Sequence, residues 1–100
     1  MPKFETEDWG GCKFTVPDKP SVWQVVAYDS ARLEHYGQPD LLVLWEMAKT
    51  LIQDWASEAL PDFKVDLQKV EDVRAASLIE WASLEVSIWR RRLDDVPKNS

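Results

Sequence analysis

"LWEMAKTLIQDWASEALPD" occupies residues 44–62 of the chain. From just before this stretch to its end, Leu41, Trp45, Ala48, Ile52, Trp55 and Ala59 step by four and three residues in alternation. That spacing is the apolar seam of an amphipathic helix with heptad-type periodicity. Leu44 and Leu51 widen the seam. Pro39 and Asp40 suit the opening of a helix, and Pro61 closes it, because the residue before a proline avoids helical geometry. The reading is one helix from about residue 40 to residue 59.

Downstream, Ala75, Ile79, Ala82, Val86, Trp89 and Leu93 repeat the same alternation. This predicts another helix, starting between Asp66 and Asp72 with acids suited to its first turn. It carries a second apolar line, Leu78, Trp81 and Ile88, with Glu85 between them. At about 100° per residue this line lies beside the first, so the apolar face is wide. Such a face needs cover from another helix or from another chain.

Upstream, a helix is expected from about Pro20, where Ser21 and Gln24 have capping-box spacing. Val22, Val26, Leu33 and Tyr36 follow a helical period, and Asp29 interrupts it. Either the buried face turns toward Val25, or Asp29 is a partly buried group that needs a partner. Gly37 suits the position just past the helix end.

The expected fold is therefore mainly α, a three-helix bundle. The second and third helices pack antiparallel along their matching seams, and the first closes the third side. "CKFTV" (12–16) and "FKVDL" (63–67) alternate apolar and polar residues and can pair as a short two-stranded ribbon. Residues 1–11 read as a mobile, extended N-terminal arm, 12–96 as a single helical domain, and 97–100 as a polar tail.

Composition narrows the function. One hundred residues with 45% hydrophobic and 30% charged content make one globular domain. The net charge of −6 opposes nonspecific nucleic-acid binding, which needs a basic footprint. A single cysteine, Cys12, allows no internal disulfide and fits a reducing compartment. One cysteine and one histidine cannot build a Cys/His zinc site. The opening residues lack a charged segment followed by an apolar run, so no signal peptide is expected. The longest apolar run, residues 41–45, is too short to cross a bilayer. A cytoplasmic protein without membrane contact is expected.

No nucleophile elbow, phosphate-binding loop, HExxH helix or EF-hand loop is present. His35 reads as a helix-end residue stabilised by the macrodipole, and Cys12 as a small apolar strand residue. Neither suggests catalysis, so a non-enzymatic protein without a cofactor or metal is expected. "WRRR" (89–92) is the one basic run. On a helix its arginines fan apart, and Arg90 and Arg91 reach Asp94 or Asp95 at i+3 or i+4. Tryptophan beside arginine is also the composition of an interface anchor, and six tryptophans are many for a small domain to hide. The interaction candidates are Trp23, Leu78, Trp81, Ile88, Trp89, Arg90 and Arg91.

The segments "KFTVPDKPSVWQVVAY", "LWEMAKTLIQDWASEALPD" and "VRAASLIEWASLEV", in that order in a small acidic chain, resemble the tail assembly chaperones of long-tailed bacteriophages. The likeness covers about residues 12–100 and lies in size, element order and texture. It implies a non-enzymatic helper in the host bacterial cytoplasm. Its client would be the helical, aggregation-prone tape measure protein, with the tail tube protein as a further partner and self-association as an option. It also implies a longer frameshifted form, and Pro97-Lys98-Asn99 is compatible with a slippery codon run. Two alternatives use the same residues differently: a structural component of the virion, or an acidic anti-defence inhibitor whose carboxylates mimic nucleic acid.

Overall fold

A computed structural model describes residues 2–94. Among these residues the order of elements is β1 (Lys3–Thr6), β2 (Cys12–Thr15), α1 (Val22–Glu34), α2 (Asp40–Lys49), β3 (Gln53–Ser57) and α3 (Arg74–Leu93). The strands form one antiparallel sheet in the order β1-β2-β3. The fold is therefore a small mixed α-and-β structure, and the expected three-helix bundle with a two-stranded ribbon is incorrect.

The correction is decided inside residues 44–62. The helix expected to run to residue 59 stops at Lys49. The Thr50 hydroxyl donates to the Met47 carbonyl at 2.6 Å, which draws the chain out of the helical ladder. The Thr50 and Leu51 amides bond three residues back, to Met47 and Ala48, so the last turn is tight. Beyond it, β-branched Ile52 and aromatic Trp55 favour extended chain.

Strand β3 is bulged. Lys13 faces Ala56 and Thr15 faces Gln53, so two steps on β2 oppose three on β3. Asp54 absorbs the extra residue at φ 52°, a left-handed conformation that aspartate tolerates better than most residues. The Thr15 hydroxyl donates to Asp54 Oδ2 at 2.9 Å and fastens the bulge. The bulge lengthens the inward step from Ile52 to Trp55 to three residues. That is the spacing of a helical turn, and the seam was misread for this reason.

The N-terminal arm is also corrected. Residues 3–6 form β1, which pairs with β2 so that Phe4 faces Phe14. "FKVDL" takes no part in the sheet. Asp62 caps a turn there by accepting from the Lys64 amide at 2.9 Å, and Leu67–Lys69 is a turn of 3₁₀ helix. Helix α3 begins at Arg74, later than expected, where Asp72 accepts from the Arg74 amide at 3.0 Å.

One face of the sheet carries the core. Rings of Phe4, Phe14, Trp55 and Phe63 follow one another at centroid spacings of 5.0, 5.7 and 5.6 Å. Trp45 of α2 meets Trp55 edge-on at 5.8 Å, and Trp81 of α3 meets Phe14 edge-on at 5.6 Å. Such offset and edge contacts add to simple burial. Phe14, Trp45, Leu51, Leu60, Leu78 and Val86 are fully buried around them. The seam residues Trp45, Ala48, Ile52 and Ala59 are buried as expected, though α2 carries only the first two and the others flank β3.

Helix α1 packs mainly on α2 and lies outermost among the helices. Among the described residues no helix is long and apolar enough to cross a membrane. The expected polar tail, 97–100, and Asp95 lie outside the described residues.

Candidate protein-interaction site

Helix α1 starts on the expected capping box. The Gln24 amide donates to Ser21 Oγ at 3.1 Å, and the Ser21 amide donates to Gln24 Oε1 at 2.8 Å. These two bonds fix where the helix begins, and thereby which side chains face out.

The buried side of α1 is Tyr28 and Ala31, with Val25 half-buried. Roughly half a helical turn away lies the stripe that the period 22, 26, 33, 36 had placed in the core. It is in solvent: Val22 is 81% exposed, Trp23 80%, Val26 50%, Leu33 77% and Tyr36 89%. Scattered exposed apolar residues are ordinary, but four on one helix, with a fifth, Tyr36, in the turn just past its end, are more than scatter.

Asp29 stands midway along the stripe. Arg90 of α3 holds it with two bonds, Nη2 to Oδ2 at 3.0 Å and Nε to Oδ1 at 3.3 Å. Arg90 Nη1 also reaches Asp94 Oδ2 at 3.1 Å. Asp29 first, then Asp94, holds the Arg90 guanidinium still more firmly in its charged form. The first option raised for Asp29 is realised, since the buried face turns toward Val25; Asp29 is exposed, not partly buried, though Arg90 meets it. The stripe thus carries a carboxylate paired within the chain, to an arginine that it shares with Asp94. Beside this clasp lies a cleft of about 300 Å³, lined by Tyr28, Asp29, Arg32, Met47, Ser87 and Arg90 among others.

The structure separates the interaction candidates. Trp23 is the one fully exposed tryptophan of the six. Leu78 is buried, and Trp81 is half-buried against Phe14, so both serve the core. Ile88 is 43% exposed and Trp89 half-buried, beside Phe4 of β1. Arg90 is committed to Asp29 and Asp94, while Arg91 is exposed. The wide face of α3 is covered by α2 and, at Trp81, by Phe14 of the sheet, while Ile88 at its edge stays exposed. Val22, Val26, Leu33 and Tyr36 were missed as surface residues, and the interrupting Asp29 was the signal that could have found them.

Two other features bear on chemistry. Cys12 is buried in β2, where desolvation pushes its thiol up to about 11 in spite of a hydrogen bond with Ser57. That thiol is poorly suited to nucleophilic attack. His35 caps α1 half-buried, with Nε2 3.6 Å from Glu46 Oε2. Among the described residues no group of three or more histidine, cysteine, aspartate or glutamate side chains is placed to hold a metal. The chain matches no known protein family, no curated protein and no solved structure.

Proposed function

We propose that this protein is a non-enzymatic interaction module that works through the exposed stripe of α1. The observation that carries the reading is the exposed set Val22, Trp23, Val26 and Leu33 on an outermost, well-capped helix, with Tyr36 just past its end, all without cover among the described residues. A stripe of this shape and period fits an apolar face on a second helix, as in helix-in-groove recognition.

The tail assembly chaperone of a long-tailed bacteriophage is the specific form of this reading, acting in the bacterial cytoplasm. Its support is the likeness of sequence texture together with a surface suited to a helical client. The sheet removes the all-helical frame that the likeness implied, and α1 takes over the role given to α3. The client would be the tape measure protein, whose apolar helices need shelter before the tail tube closes around them.

Co-expression tests this. The protein should raise the soluble yield of the tape measure protein, and Leu33→Asp should abolish the gain while leaving the fold intact. Equal client solubility with and without the protein would sink the chaperone reading. Mass spectrometry of purified particles separates a chaperone, absent from the particle, from a virion component.

A further inference from the structure

We infer that the first occupant of the α1 stripe is the same stripe on a second copy of the chain, in an antiparallel, two-fold dimer. This rests on reading the stripe as an interface, and it names the partner.

The spacing of the stripe motivates it. Trp23, Val26, Leu33 and Tyr36 are spaced by three, seven and three residues, so the pattern is the same read from either end. Its midpoint falls between Asp29 and Ser30. A two-fold interface pairs residue i of one copy with j of the other and j with i, and a pattern of this kind suits such pairing. A helix from an unrelated protein imposes no such symmetry on the stripe. With the axis at the midpoint, Val26 of one copy lies by Leu33 of the second, and Trp23 lies by the turn beyond α1 that carries Tyr36. Val22 falls opposite Gly37, which has open space around its Cβ position and admits a close approach. At the axis Asp29 comes beside Ser30 of the second copy, whose hydroxyl can donate to the carboxylate. Arg90 pairs with Asp29 in each copy, which lessens the repulsion between the two carboxylates near the axis.

The area suffices. With large aromatic side chains burying ~150–250 Å² each, the five exposed side chains offer ~600–700 Å² of mostly apolar surface per copy. Two copies together reach ~1,200–1,400 Å², at the lower end of what specific, stable interfaces bury. A client helix would then compete with the second copy, and the dimer would shelter the stripe until the client arrives.

The test is sedimentation velocity across a wide concentration range, with light scattering after gel filtration. The full chain should move from monomer to dimer. Trp23→Asp and Leu33→Asp should each weaken association by ~10-fold or more, as loss of a large interface anchor does, with unchanged circular dichroism. Register is tested by oxidation. Ser30→Cys should cross-link with itself, whereas Trp23→Cys and Tyr36→Cys should cross-link when mixed and not alone. A dimer that survives Leu33→Asp overturns the proposal, because the interface then lies elsewhere. A chain that stays monomeric, yet loses client binding on Leu33→Asp, overturns the dimer and leaves the interaction reading standing. A monomer indifferent to Leu33→Asp in both assays overturns both.

Discussion

Ser83 lies fully buried in α3, and its hydroxyl finds no hydrogen-bond partner among the described residues. A buried hydroxyl without a partner keeps its desolvation cost, and alanine is the better helix former. Ser83→Ala should therefore stabilise the protein by about 0.5–1.5 kcal/mol in urea unfolding, and a loss of stability would show a partner for the hydroxyl. Gly10 works in the opposite direction. It turns the β1–β2 connection at φ +84°, and an added Cβ would sit 2.8 Å from the ends of Arg74 and Glu58. Those flexible side chains can move aside, but the left-handed backbone cannot, so Gly10→Ala should cost about 1–2 kcal/mol. Cys12 gives a pH dependence. Its thiol is raised from 9.0 to about 11 by burial, so the unfolded chain loses its proton first as pH rises. The neutral thiol's contribution is complete below pH 9 and is lost progressively toward pH 11. The loss should be on the order of 1–2 kcal/mol. Burial shifts Tyr28 upward too, in the same sense. Denaturant midpoints at successive pH values check this, and Cys12→Ala should flatten the slope.

Elements divide into those that local chemistry announces and those that tertiary contacts impose. Helix α1 is of the first kind: Ser21 and Gln24 predict its start, and the capping box forms. Removing it by Ser21→Ala should cost about 1 kcal/mol, read as a lower thermal midpoint, and no change would mean that packing on α2 alone holds the helix end. Helix α3 is nearly as legible, since its seam residues Ala75, Ile79, Ala82 and Val86 are all buried. Strand β3 is of the second kind. Trp55 and, just before the strand, Ile52 keep a helical spacing only because Asp54 is an extra residue, and that bulge exists only when β2 lies alongside. β1 suffers likewise, because a four-residue polar segment says nothing until its partner strand is known. The exposed stripe was visible as a period but assigned to the wrong side. Periodicity reports which residues share a face, and leaves open whether that face meets the core or the solvent.

The molecule as a whole sets two apolar surfaces against each other. The ring ladder centred on Phe14 is enclosed by strands and helices, whereas the α1 stripe has cover from neither. Large-to-small change at the enclosed site leaves a cavity, so Phe14→Ala should cost about 3–5 kcal/mol at any protein concentration. Leu33→Asp removes an apolar side chain from water, so in dilute solution its stability change should stay within about 0.5 kcal/mol. The contrast sharpens as protein concentration rises. Association through the stripe stabilises the folded state by mass action, so the wild-type thermal midpoint should climb with concentration. In Leu33→Asp the midpoint should stay flat, and at high concentration the two proteins should separate although they coincide when dilute. Differential scanning fluorimetry over a hundredfold dilution range reads this directly. Parallel, concentration-independent curves for both proteins would mean that the stripe has no partner in a pure solution, and its occupant must then be another protein.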